Sequence, residues 1–421
     1  MTIFHGPMSY HIDGHKELTE HGDILKIETD VIEMSMLVGN HKASCCVKVG
    51  DHVRIGDILG KRDDHFYVPI LSPCSGEVIS IKEKISSANT MVECVCIAND
   101  HKEEKKEIRK ITTECDPEDI ISYIKEIGLV GQGGAGFPAY IKYNTDACET
   151  LIINAVECEP YITADIANIE KNKELFELGV RLLFKASKAK QCIIGIKQTH
   201  SQLIEELKGM FEEPIRVMPL KDVYPMGWER TLVYEVLHRR YNKLPIEVGA
   251  IVSNATSAVT LGYAAKNGYI ADSRIITVSG ECIKEPHNVE CKLGTPIKLL
   301  LDACGGIEKE DVNLTLGGPM MGKTVESDEV SVTMVTNAVT VYENKNREAL
   351  ECLKCCSCID HCPSSLKPMV VRKMVLNKKV DKLKGFQVSD CVECGLCSYM
   401  CPSKIALTDI MREAKRLVSG G

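Results

Sequence analysis

Two cysteine motifs carry the most specific chemistry in this chain. The first is Cys352-x2-Cys355-x2-Cys358-x3-Cys362-Pro363 and the second Cys391-x2-Cys394-x2-Cys397-x3-Cys401-Pro402. Three thiolates at two-residue gaps wrap one face of a cubane cluster. The fourth, set before a proline, points away and ligates the other cluster. On that rule one [4Fe–4S] cluster takes Cys352, Cys355, Cys358 and Cys401. A second takes Cys391, Cys394, Cys397 and Cys362. A structural zinc site accounts for two Cys-x2-Cys pairs, but not for this arrangement twice. Cys356 follows Cys355 directly, where the second motif has Gly395 after Cys394. It reads as a non-ligating thiol beside the cluster; an alternative ligand or a tuning element are the other readings.

A different site lies upstream. Gly131-Gln132-Gly133-Gly134-Ala135-Gly136 lets backbone N–H groups approach a phosphate, and Lys142 adds positive charge. The loop follows a helix rather than a strand, which contradicts a Rossmann reading; a plain glycine-rich turn is the alternative. The apolar run Leu151–Ala155 then leads into Val156-Glu157-Cys158-Glu159-Pro160. A polar cluster at the end of a strand is where α/β folds place ligands. Asn154, Glu157 and Glu159 suit a flavin ring, a ribitol or a nicotinamide ribose; solvated loop residues are the ordinary reading.

Positioning these residues takes several units. Residues 1 to about 100 alternate short β-branched runs with turns at Gly50-Asp51, Gly56-Asp57 and Ser75-Gly76, as a small sandwich or barrel does. The charged stretch Asp100–Lys110 reads as a solvated linker. Pro117–Ile127 has helical spacing with Asp116 as N-cap, and the strand-like runs Leu151–Ala155 and Cys192–Ile196 alternate with helices. Residues 274–340 turn β-rich again, interrupted by a helical stretch at Pro296–Ala303. Helical spacing dominates from Asn346, including Met369–Leu383 between the motifs. The fold class is multidomain α/β plus β, with units at 1–110, 111–270, 271–342 and 343–421.

Composition sets the compartment. The chain has 421 residues and 21 cysteines, an odd count that fits a disulfide framework poorly. Its first residues lack a basic stretch followed by an apolar run, so a reducing cytoplasm is expected. A formal net charge of −8 argues against nonspecific nucleic-acid binding. No stretch approaches the ~20 apolar residues of a membrane helix, so membrane association is expected only through partner subunits. The cysteines outside the motifs read as small buried hydrophobes.

Several segments carry a family resemblance: GLVGQGGAGFPAYIK (Gly128–Lys142), LIINAVECEPYITAD (Leu151–Asp165), YPMGWERTLVYEVL (Tyr224–Leu237), LGGPMMG (Leu316–Gly322) and the two cysteine motifs, in this order. With the early HIDGHKELTEHGDIL, the chain resembles the RnfC-type subunit of the Rnf ferredoxin:NAD oxidoreductase complex over nearly its whole length. Its central half is similar to the NADH-binding flavoprotein subunit of respiratory complex I. The resemblance implies an N-terminal barrel-sandwich hybrid, an FMN- and NADH-binding α/β domain, an SLBB β-grasp domain and a helical dicluster ferredoxin domain. No modified-lysine motif is evident in the first, so no covalent cofactor is expected there.

By motif match, FMN would meet Gly131, Gln132, Gly133, Gly134, Lys142, Asn154 and Glu157. Gly227-Trp228-Glu229 matches the loop that meets the dinucleotide, and Asn254 a flavin-side asparagine. The sequence departs from the pattern at Val156, where the complex I subunit has aspartate, at Trp228, where relatives are small or acidic, and at the start, Gly6-Pro7 to His11-Ile12. The implied activity is hydride exchange between NAD(H) and FMN, with single electrons passed through two clusters. The partners are other complex subunits on the cytoplasmic face of the membrane, and ferredoxin. The alternatives are a soluble homologue feeding a dedicated reductase, as in proline reduction or cobalamin reduction, and a cluster-only relay or scaffold.

Overall fold

The structure is a computed structural model that describes residues 10–134, 136–345 and 348–419. Ala135 of the glycine loop and the Gly6-Pro7 start lie outside the described residues.

The centre of the molecule is a parallel sheet ordered Ile215–Leu220, Gln191–Lys197, Thr150–Ala155 and Ala250–Asn254. Its inner strands read as continuous apolar runs because both faces are covered. Leu151, Ile153, Cys192 and Ile194 pack under the helices Pro117–Glu126, Ala164–Lys171, Lys173–Ser187 and Ala255–Asn267. Ile152 and Val156 face the other way, onto Met226, Leu232 and Val233 of the segment around helix Glu229–Leu237. Asp116 precedes the first helix in extended backbone, as an N-cap should, without a side-chain capping bond.

Two helices approach closely through glycine. A Cβ on Gly179 would lie 1.8 Å from the carbonyl oxygen of Ala258, and one on Gly262 1.9 Å from that of Leu175. Gly179→Ala should therefore destabilise the central domain by about 1–3 kcal/mol through overpacking. A lowered denaturation midpoint would show it; an unchanged midpoint would mean the helices separate at no cost.

The N-terminal unit is built of three small sheets. Val31–Ser35, Met91–Asn99, Gly76–Ile85 and His52–Val53 form one, Ser44–Cys45, Ile58–Asp63 and Tyr67–Leu71 the second, and the short pair Leu37–Val38 and His41–Lys42 the third. The β-rich third unit follows Ser273–Ser279, His287–Lys292, Val312–Leu316, Lys323–Val325 and Ala338–Glu343.

These two units are less separate than their spans in the sequence suggest. They share one continuous core running from Ile32, Leu59 and Val78 to Ile276, Val289 and Val339. Leu25–Lys26, which the sequence assigns to the first unit, adds a parallel edge strand to the third by pairing with Val289 and Glu290. The stretch Asp100–Lys110 is no free linker either. Its backbone bonds to Ile55 on one side, and Ile108 N–H donates to the Gly268 carbonyl at 2.9 Å on the other.

The C-terminal module is helical: Pro368–Leu376 and Val380–Leu383 between the motifs, and Leu407–Ser419 after them. The helical spacing over 369–383 breaks into two pieces around Asn377. Leu366, Val371, Leu383 and Met411 form its small core.

Candidate functional site

The sequence-predicted residues converge on a cleft of about 600 Å³ above the ends of the parallel strands, within the range of small-molecule sites. Gly131, Gly133, Gly134, Lys142, Asn154, Glu157, Glu159, Gly227, Glu229 and Asn254 all line it. Gln132 does not. Its side chain is 6% exposed and turns inward, where its oxygen accepts from Thr260 Oγ1 at 3.0 Å. Its backbone N–H is spent on Ser257 Oγ at 3.2 Å.

The glycine loop fits a ligand that approaches backbone closely. A Cβ on Gly133 would lie 2.6 Å from Asn254 Nδ2, while one on Gly134 would meet nothing within 4 Å and face the open cleft. Asn254 caps the helix Ala255–Asn267 by accepting from Thr256 N–H at 2.8 Å. The glycine loop and Lys142 thus lie around one cavity, backbone amides and a cation of the kind that bind phosphate. Lys142 Nζ donates to the Val252 carbonyl at 3.0 Å. Burial lowers its pKa, and Glu229 works in the opposite sense.

Strand Thr150–Ala155 delivers the acidic loop. Asn154 is fixed at both ends: its amide donates to the Gly227 carbonyl at 2.8 Å, and its oxygen accepts from Val156 N–H at 3.1 Å. Glu157 has φ +41 and Tyr161 φ +66, strained backbone of the kind held at functional sites. Glu157 accepts from Asp165 N–H at 2.7 Å and lies 3.9 Å from Lys16 Nζ. Burial pushes its carboxyl up to about 8, against the pull of Lys16. Glu159 accepts from the N–H groups of Met320 and Met321 at 2.8 Å each, and burial raises it too. Glu229 is held by Tyr241 Oη, which donates at 3.1 Å.

Sequence reasoning missed Asp165, although it closes a quoted segment. Its carboxylate accepts from Asn254 Nδ2 at 2.7 Å and Thr256 Oγ1 at 2.6 Å, tying the acidic loop to the helix N-terminus. The Val156 departure falls in the core, at 0% exposed, whereas Trp228 lines the cleft.

The cysteine motifs occupy the module beside this cleft. Cys362 lines one cavity together with Cys391, Cys394 and Cys397. Cys358 and Cys401 pack together around Ile405 and Leu407, with Cys352 at the edge, and Cys355 is exposed near Cys358. Among the described residues no three His, Cys, Asp or Glu side chains converge as a single ion would need. Burial pushes the Cys362 and Cys397 thiols up to about 11, with neighbouring thiols adding to the rise. The donor set is the soft, all-sulfur one that iron–sulfur clusters take.

Cys356 has φ +64, the left-handed conformation that Gly395 takes at φ +81 in the other motif, and its side chain is exposed. Of the cysteines outside the motifs, Cys74, Cys94, Cys96, Cys148, Cys192, Cys282, Cys291 and Cys304 are buried, whereas Cys45, Cys115 and Cys158 are half-buried and Cys46 is exposed.

Comparison with known proteins matches three parts of the chain. The RnfC barrel sandwich hybrid domain matches residues 4–102, the Nuo51 FMN-binding domain residues 124–262 and the SLBB domain residues 275–324. Among curated proteins, the chain is 30% identical to the C subunit of the Na(+)-translocating ferredoxin:NAD(+) oxidoreductase complex of Acetobacterium woodii, over 93% of this chain and 91% of that one. It is 30% identical to the proton-translocating counterpart of Clostridium ljungdahlii, over 77% and 74%. It is 32% identical to the C subunit of the ion-translocating oxidoreductase complex of Vibrio cholerae, over 82% of this chain but 46% of that longer one. Among solved structures, an NAD+-reducing [NiFe]-hydrogenase in the H2-reduced state superposes with a TM-score of 0.51 at 16% identity, over 73% of this chain and 63% of that chain. That likeness is one of fold. No helix among the described residues is long and apolar enough to cross a membrane.

Proposed function

Because the chain belongs to the RnfC family, the C subunits of ion-translocating ferredoxin:NAD(+) oxidoreductase complexes, we propose that it exchanges electrons between NAD(H) and two [4Fe–4S] clusters by way of FMN in the central cleft. The observation that carries this reading is the convergence of ten motif-matched residues on one cleft beside a four-thiol cavity. FMN, when bound, supplies the conversion between two-electron and one-electron transfer. The chain's own residues supply position and field. The amides of Gly133 and Gly134, with Lys142, hold the phosphate end. Asn154 and the Glu157 loop, fixed by Asp165 and Gly227, would hold the ring end. Glu229, held by Tyr241, and Trp228 line the same cleft and would meet the dinucleotide there, the Trp228 ring offering a flat surface for a base.

Cys352, Cys355, Cys358 and Cys401 hold one cluster and Cys362, Cys391, Cys394 and Cys397 the other. Partner subunits of the complex take or return the electrons, ferredoxin stands at the far end, and the chain sits at the cytoplasmic face of the membrane through those partners. The test is anaerobic purification from flavin-replete cells. About eight irons and one extractable FMN per chain are expected, with NADH bleaching the flavin and driving reduction of a viologen dye. About eight irons with no FMN would sink the dehydrogenase reading and leave a cluster relay.

A further inference from the structure

Tyr224 begins the short segment that ends in Gly227, Trp228 and Glu229 on the cleft wall. Its own side chain turns away from the cleft. It is 2% exposed and packs with Met320, Cys394 and Leu396, with Cys158 at the edge of the group. Its hydroxyl donates to the backbone carbonyl of Cys394 at 2.7 Å. A buried phenol has one proton to donate, and the Cys394 carbonyl and the Glu159 carboxylate both lie where they can accept it.

A second strut joins the same two places. Glu159 accepts from the N–H groups of Met320 and Met321 at 2.8 Å on the cleft side. The Met320 carbonyl then meets Gly395, where a Cβ would lie 2.7 Å from the oxygen and φ is +81. Only glycine permits both the conformation and the approach. The turn Cys394-Gly395 thus meets the cleft wall twice, through a hydrogen bond at Cys394 and close backbone packing at Gly395. The first motif is exposed at one end: Cys355 and Cys356 are exposed, and the neighbouring Leu350 and Leu353 are 68% and 70% exposed, while Cys358 is buried and the His361 ring packs edge-on against Tyr10.

We propose that Tyr224 is a positioning residue for electron transfer. The two struts make the cluster of Cys362, Cys391, Cys394 and Cys397 the first stop from the cleft. The cluster of Cys352, Cys355, Cys358 and Cys401 is the outer one, presented to the electron partner. NADH gives up two electrons and one proton in becoming NAD+. Each cluster takes one electron at a time, so the two cross singly and the proton goes to water. The order rests on the cleft being the flavin site. The hold of Tyr224 on Cys394 stands on geometry alone: the bond orients a carbonyl beside a ligand sulfur, and such outer contacts tune a cluster.

Tyr224→Phe keeps the ring and removes the bond. In anaerobic protein of unchanged iron content, titrated with dithionite and followed by electron paramagnetic resonance, one cluster should shift in midpoint potential. It should be the cluster lost in Cys391→Ala, not the one lost in Cys355→Ala. Gly395→Ala, which presses on the Met320 carbonyl from the other strut, should move the same potential. After rapid mixing of the parent protein with NADH, the Cys391-dependent signal should rise first. In Tyr224→Phe that rise should slow by about tenfold, while NADH bleaches the flavin at its usual rate. An unmoved Cys391-dependent potential in both variants would overturn the contact, and earlier reduction of the Cys355-dependent cluster would overturn the order. Failure of NADH to bleach a bound flavin would overturn the cleft reading, while the dithionite titration still decides the contact.

Discussion

Cys362→Ala is expected to destroy the cluster of the other motif. Cys362 belongs in sequence to the first run of cysteines, but it lines a cavity with Cys391, Cys394 and Cys397. Its sulfur already accepts from Leu366 N–H at 3.3 Å, as the Cys391 sulfur does from Glu393 N–H at 3.4 Å. Amide bonds of this kind stabilise thiolate and tune a cluster that sits on it. Alanine leaves three ligands, so iron should fall from about eight to about four per chain. The surviving paramagnetic signal should match that of Cys391→Ala. Cys401→Ala should leave the opposite signal. A residual signal in Cys362→Ala that matches Cys358→Ala would mean each motif feeds its own cluster, and the crossed assignment would be wrong.

Gly133→Val is expected to empty the cleft while sparing the clusters. Its Cβ would lie 2.6 Å from Asn254 Nδ2 and 3.0 Å from Asn254 Cγ. Asn254 cannot swing aside cheaply, because it caps a helix through one end and bonds Asp165 through the other. The loop must retreat instead, and its amides leave the position where they meet a phosphate. Losing two such contacts at roughly 1.4 kcal/mol each weakens FMN binding about 100-fold. Reconstitution titrations by flavin fluorescence measure this directly, with iron content as the control. Full flavin retention in Gly133→Val would show that the loop does not hold the cofactor. Gly134→Ala is the informative partner, since its Cβ meets no protein atom within 4 Å; any flavin loss there reports on the ligand's own footprint.

Local spacing alone was enough for the ligand turns and the buried strands. Cysteines at fixed gaps before a proline specify a ligand turn. Apolar runs such as Leu151–Ala155 and Cys192–Ile196 specify strands buried on both faces, and they form as expected. The glycine loop and the acidic loop were both legible, because each is a contiguous segment whose backbone needs are written in its own residues. Three features came only with the tertiary structure. Gln132 sits inside the loop motif yet packs inward, since the alternation of exposed and buried positions depends on what lies underneath. Asp165 joins the cleft because its partners, Asn254 and Thr256, come from a strand end and helix start some ninety residues away. Tyr224 reaches Cys394 across 170 positions. Local sequence fixes dihedral preferences and one face of each element, whereas contacts between distant segments follow from how those faces fill a common core. The chemistry of each site was therefore written locally, and the connection between the two sites was decided by packing.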